Sequence, residues 1–253
     1  MFGLQNFRGS CWVNACLQGI FRIEDVQARY SNNKADPENE IDLALQKIWV
    51  LEGKGGLKEF FNSVKHVSLP VGNNIGDSHE LLVYLLDKLP WLDSLCRFKT
   101  SDRFTCTHCK HTITKEDSRN EFFLFPTEKS QNITDCISNE VKEVVMADSK
   151  CEKCHTHPYT KQLLLQTFPK VLILHVYTEP TKNTVYSSVL MINQNKYALV
   201  SILSYNGAHW WAYGRNMVGS SWYTLDDTTV KQHNPTEFPL SNTMRILIYY
   251  LNE

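Results

Sequence analysis

The sequence predicts an α+β fold, with helices gathered in the first third and strands in the rest. Two observations carry this reading. Up to about Cys96, apolar residues recur at helical spacing; beyond it, Thr, Phe, Val, Leu and Ile gather in short runs separated by turn residues. Helices in one stretch and strands in another make segregated lobes, not a βαβ sheet. With 253 residues, 42% hydrophobic and 21% charged, the chain can bury a sizeable core, in one domain or two by length alone.

The elements follow in order. A helix beginning at Cys11 places Trp12, Ala15, Cys16, Gly19 and Ile20 on one face. A second runs from about Glu38 to Glu52, burying Ile41, Leu45, Ile48 and Leu51, and the glycines between Gly53 and Gly56 end it. Leu57 to His66 is a shorter helix. Asp77 is placed as an N-cap, with Glu80 three residues later as in a capping box, before a helix carrying Leu81, Leu82, Leu85 and Leu89. Strands are expected within Arg103–Pro126, Lys161–Val176, Val185–Ile192, Lys196–Ser204, His209–Arg215, Ser221–Leu225 and Met244–Leu251.

Charge and hydropathy exclude several roles. A net charge of -1 gives no field that would draw the chain to nucleic acid or an acidic membrane. No apolar run has the length of a membrane span, and the start, Met1 to Asn6, lacks the pattern of a signal peptide. The eight cysteines are therefore expected in a reducing compartment, where clusters serve metals or catalysis before disulfides. The expected location is the cytoplasm, with the nucleus as an alternative.

Four of those cysteines form two C-x2-C pairs, Cys106 with Cys109 and Cys151 with Cys154. A two-residue spacer lets a tight turn aim both sulfurs at one ion, and four thiolates close a tetrahedral structural zinc site. The separation of the pairs suits a β-ribbon clipped by zinc at its tip. Free cysteines are the plain alternative, and one of His108, His111, His155 or His157 could replace a sulfur ligand. A nucleic-acid-binding finger would need a dense basic and aromatic stripe, which is missing.

A fifth cysteine carries different chemistry. Cys11 opens a helix, after Gly9 and Ser10 and five residues after Asn6. Unpaired N–H groups and the dipole at a helix start favour thiolate over thiol, although a lone cysteine is more often a small core residue. A thiol nucleophile also needs an imidazole and a group to orient it. The turn Asn206-Gly207-Ala208 delivers His209 to the start of a strand, and the strand at Trp222 to Leu225 leads into Asp226 and Asp227. Cys, His, then Asp, on a chain with helices first and strands second, is the order of papain-like enzymes.

The resemblance then becomes specific. Gly3 to Asn6 with Gly9 to Asn14, Leu17 and Gln18 is similar to the cysteine box of the ubiquitin-specific protease family. Gly76 to Leu82, Thr134 to Ile137, Phe168 to His175, His209, and Trp222 to Asp226 resemble further boxes, in order, over nearly the whole chain. The resemblance implies one catalytic domain over residues 1–253, with a helical thumb (about 1–96), zinc-clipped fingers (97–170) and a palm (171–253). It implies a Cys11-His209-Asp226 triad with Asp227 as the alternative third member. Asn6 would hold the oxyanion, and Asp77, Glu80, Trp210 and Ala208 would contact substrate. The implied activity is thiol-dependent hydrolysis of (iso)peptide bonds at the C-terminal glycine of ubiquitin by a monomer with one structural zinc.

Three departures stand out. Ala208 replaces the glycine usual before the histidine, the stretch after His175 lacks the basic-aromatic pair frequent in the family, and the loop before His209 is short. The compact chain leaves two alternatives. One is a viral papain-like protease, acting in host cytoplasm on a polyprotein as well as on ubiquitin or ubiquitin-like modifiers. The other is a ubiquitin-binding module without activity.

Overall fold

The computed structural model describes residues 1–7, 9–64, 76–127, 130–177, 183–215, 221–233 and 241–252. Six helices come first: α1 (Cys11–Ile20), α2 (Glu24–Ser31), α3 (Glu40–Val50), α4 (Leu57–Val64), α5 (Ser78–Lys88) and α6 (Pro90–Cys96). The strands β1 (Phe98–Cys106), β2 (Thr112–Arg119), β3 (Phe122–Leu124) and β4 (Ser130–Asn132) lead to α7 (Ile133–Val141). Then follow β5 (Val144–Met146), β6 (Tyr159–Leu165), β7 (Val171–Val176), β8 (Asn183–Val185), β9 (Val189–Ile192) and β10 (Asn195–Tyr205). The chain closes with β11 (Trp210–Gly214), β12 (Tyr223–Asp226), β13 (Thr229–Gln232) and β14 (Met244–Leu251).

Local chemistry sets most of the helix ends. Asn39 caps α3 by accepting from the backbone N–H groups of Ile41 and Asp42, both at 3.1 Å. At the other end, the Gly53 N–H returns to Ile48 O at 2.9 Å with φ +76°, a turn that glycine makes without strain. The helix is thus shorter at both ends than the expected Glu38–Glu52. Asp77 caps α5 as predicted, accepting from His79 N at 2.8 Å. The bond goes to the second helical residue, and among the described residues Glu80 makes no return bond, so Asp77 is a cap without the expected capping box. The expected helix after Asp77 ends one residue before Leu89: α5 stops at Lys88 and Pro90 starts α6. The expected helix at Leu57 extends to Val64, and its last two predicted residues lie outside the described residues.

Helix α1 is buried along its whole length, so it is enclosed on every side instead of lying on a surface. It packs against α5 and against β10, β11 and β12. Those strands belong to a sheet ordered β13-β12-β11-β10-β14-β7-β3, with β9 also paired to β10. Along β7, Val171 and Ile173 enter the core shared with the helices, while Leu172 and Leu174 enter a second core on the opposite face. Side chains alternate across a strand, so covering both faces demands the uninterrupted apolar run found there.

A second sheet is ordered β2-β1-β6-β5, and β4 pairs with β8 in a small parallel ladder. The β1–β2 hairpin turns between Cys106 and Thr112. β1 also pairs with β6 from Thr100 opposite Leu165 to Cys106 opposite Tyr159, which sets the two cysteine turns at one end of the sheet. Helices α2, α6 and α7 and strands β4, β5 and β13 lie outside the sequence expectations, and β8 meets them only at Val185. No helix among the described residues is long and apolar enough to cross a membrane.

Candidate active site

The histidine is presented by a turn built on one side chain. Asn206 Oδ1 accepts from the N–H groups of Ala208 at 3.0 Å and His209 at 2.9 Å, and Gly207 takes φ +99°. This Asx turn is the physical content of the predicted glycine turn. The next residue, Trp210, starts β11, whose pairing with β12 through Ala212–Leu225 carries Asp226 alongside. His209 Nε2 and Asp226 Oδ1 lie 2.6 Å apart. Trp211 stacks near the imidazole, with ring centroids 6.3 Å apart and planes 15° from parallel. Oriented through Nε2, the ring has Nδ1 left for proton transfer.

Asp227 does different work from its neighbour. Its backbone has φ +51°, and its carboxylate accepts from Asn6 Nδ2 at 2.8 Å and Asn14 Nδ2 at 2.7 Å. The Leu4 N–H bonds Asp227 O at 2.8 Å, tying the N-terminal segment to the β12–β13 turn. Asn6 Oδ1 in turn accepts from Gly9 N at 3.0 Å and Ser10 N at 3.1 Å. These bonds fix the amide orientation and leave the second N–H of Asn6 uncommitted within this network.

Cys11 is the first residue of α1 and is buried. Burial pushes its thiol above the ordinary value; the Trp210 backbone N–H pulls it down, and the Asp227 carboxylate pushes it up again. The expected pull from backbone N–H groups is therefore present, and desolvation outweighs it. Cys11 meets the start of β11 at Trp210, immediately after His209, yet Cys11 and His209 share no hydrogen bond among the described residues. Catalytic hydrogen bonds are often looser without substrate than with it.

Beside this group lies a cavity of about 650 Å³. Asp77, Glu80 and Trp210 line it, with Tyr177, Tyr205 and Arg245. Ala208 is not in its lining and sits exposed on the Asx turn. Gly76 forms the wall where a side chain could not fit: a Cβ there would meet the Trp12 ring at 2.5 Å. The sequence reading missed Asn14 and Asn206 as positioning groups. An Asn three residues after Cys11 inside a buried helix, and an Asn-Gly pair just before His209, were the available signals.

The two cysteine pairs converge. Cys106 Sγ is 3.7 Å from Cys154 Sγ, and Cys109 Sγ is 3.6 Å from Cys151 Sγ. Zinc–sulfur bonds of about 2.3 Å in a tetrahedron put sulfurs about 3.8 Å apart, so the four can hold one ion. The backbone N–H of Thr156, then that of His157, holds the Cys154 thiol down at about 5. His108 and His157 stack on each other, and the ion-holding group found here consists of the four cysteines alone.

The family model described as "Ubiquitin carboxyl-terminal hydrolase" matches residues 2–249. The chain belongs to that family. Ubiquitin carboxyl-terminal hydrolase 4 of Arabidopsis thaliana is 22% identical over 242 residues. That match covers 69% of this chain and 64% of the relative, so the chain spans less than two thirds of that protein's length. Among solved structures, the SAGA DUB module of Ubp8, Sgf11, Sus1 and Sgf73 bound to monoubiquitin matches over all of this chain and 69% of the other. The TM-score is 0.85 at 17% identity. The same module bound to ubiquitin aldehyde gives a TM-score of 0.84 at 16% identity, covering 100% of this chain and 70% of that one. At such low identity these likenesses establish the fold.

Proposed function

We propose that the protein is a thiol-dependent deubiquitinase that cleaves after the C-terminal glycine of ubiquitin. The observation that carries this is the His209–Asp226 contact at 2.6 Å, placed beside a cysteine at the start of α1 in a chain of this family. In the proposed cycle His209 takes the Cys11 proton, the thiolate attacks the glycine carbonyl, and the second N–H of Asn6 steadies the oxyanion. His209 then protonates the leaving amine, and water attack on the thioester regenerates the thiol. Asp226 holds the ring and stabilises the imidazolium; Asp227 holds Asn6 and acts only through it. Since the free enzyme lacks a Cys11–His209 bond, substrate entry completes the pair.

The cavity is the proposed path of the ubiquitin tail, with Asp77 and Glu80 facing its arginines through charge-assisted bonds. Trp210 forms part of its wall, and Ala208 narrows the approach to His209. The proposed subdomains are a thumb over 1–96, fingers over 97–170 and a palm over 171–253, although β3 pairs into the larger sheet. Zinc at Cys106, Cys109, Cys151 and Cys154 would staple the two turns at the fingers' end and supply folding energy there.

The test is hydrolysis of a ubiquitin C-terminal amide reporter. The wild-type protein is expected to turn over, and Cys11→Ala to abolish turnover while retaining ubiquitin binding. A folded wild-type protein that binds ubiquitin and never cleaves would overturn the catalytic assignment.

A further inference from the structure

Three donors that the proposed chemistry does not use converge at the same cleft, two of them, His79 and His175, in its lining. His79, on α5, has Nε2 2.7 Å from Glu121 Oε2, just before β3. His175, on β7, lies against His79 with ring centroids 4.0 Å apart and planes tilted by 32°. One nitrogen or oxygen from each of the three lies within 4.8 Å of the others. The plain interpretation is a His79–Glu121 hydrogen bond with a second imidazole packed on it. That leaves His175 unexplained: its Nδ1 is buried and makes no hydrogen bond.

We propose that His79, Glu121 and His175 form a binding site for a divalent transition metal of the zinc class, separate from the four cysteines. Two imidazoles and one carboxylate are the donor set of open zinc sites, which keep a fourth position for water or another ligand. His79 and His175 both line the cavity, which supplies that open position. Ligands on a tetrahedral zinc lie about 3.3 Å apart, so the donors need side-chain adjustments on the order of 1 Å. The Glu121 carboxylate offsets half of the ion's charge, and its side chain is only 12% exposed. An ion here would tie α5 to β3 and β7 across one wall of the cleft.

The test uses tag-free full chain with its cysteine site already filled by zinc, titrated with cobalt(II). One further ion per chain is expected, with weak nitrogen/oxygen-type absorption and no thiolate charge transfer. Glu121→Gln, which can still accept from His79, and His175→Gln should each weaken this ion by at least roughly tenfold. His209→Gln should leave it unchanged. X-ray absorption at the cobalt edge of the wild-type protein reads the ligands without any variant and should find two imidazoles and no sulfur. No further ion, a single imidazole in the cobalt spectrum, or loss of the ion in His209→Gln but not in Glu121→Gln, overturns the proposal. A single imidazole would point to His209 with Asp226 and Asp227, also within ligand distance of one another among the described residues.

Discussion

Two adjacent carboxylates hold separate partners at the β12–β13 turn. Asp226 touches His209, and Asp227 touches Asn6 and Asn14. Asp226→Asn is expected to lower kcat by roughly 100- to 10,000-fold, because the imidazolium loses its counter-charge and the ring its enforced orientation. Asp227→Ala should cost less in kcat and lower the melting temperature, since the buried Asn14 amide and the exposed Asn6 amide lose their acceptor. Steady-state kinetics of both variants check this; a larger kcat loss at Asp227 would reverse the assignment. Cys11 allows a second prediction. Its thiol is raised above 9.0, chiefly by burial, so the thiolate gains population as pH rises toward and past that value. Iodoacetamide modification of free Cys11 should therefore still be accelerating at pH 9.0; a plateau below about pH 7 would mean a preformed ion pair. At this scale the sequence pointed to Cys11, His209 and Asp226 because they are chemically distinctive, and the structure joins His209 to Asp226 and sets Cys11 against Trp210. It did not separate Asp226 from Asp227, since adjacent residues at a strand end differ only in where the turn aims them.

Elements with strong local signals were legible, and those without them were not. Asp77 caps its helix where the sequence placed the cap, and the Val171–Val176 run is the strand it reads as, whereas Asn39, the cap of α3, lies inside the helix expected from Glu38. Helix α7 was missed because it is short and sits among strands, and its signal was one residue, Asn132, accepting from Thr134 N at 2.9 Å. Helix α2 was missed because only Val26 and Tyr30 are buried on it, too few to show a period. Its anchor is tertiary: the buried Asp42 accepts from Arg29 at 2.6 Å and Tyr30 at 2.8 Å. The β2-β1-β6-β5 sheet has little core near its tip beyond Cys106, Cys151 and Tyr159. Cys106→Ser should thus open that sheet locally while the α1 core stays intact. Hydrogen exchange should show lost protection in β1, β2 and β6 and none lost in α1, with zinc content falling. Unchanged exchange and zinc content would remove the metal from the account of this sheet.

Across the whole molecule, the site exists only because distant segments meet. Cys11 comes from the helix enclosed between the helical layer and the larger sheet, His209 and Asp226 from adjacent strands, and Asn6 from a segment pinned by Asp227. The order of these residues was readable in the sequence; their convergence is a property of β10, β11 and β12 packing on α1. The same packing buries the thiol and leaves Cys11 and His209 without a bond, which predicts an enzyme completed by its substrate. Ubiquitin carrying an electrophile at its C-terminus tests this most directly. The account predicts one adduct per chain, mapped by mass spectrometry to Cys11 and absent in Cys11→Ser. It also predicts faster labelling of Cys11 by this probe than by a small electrophile of equal intrinsic reactivity. An adduct on any other cysteine, or no adduct from a folded protein, would contradict it.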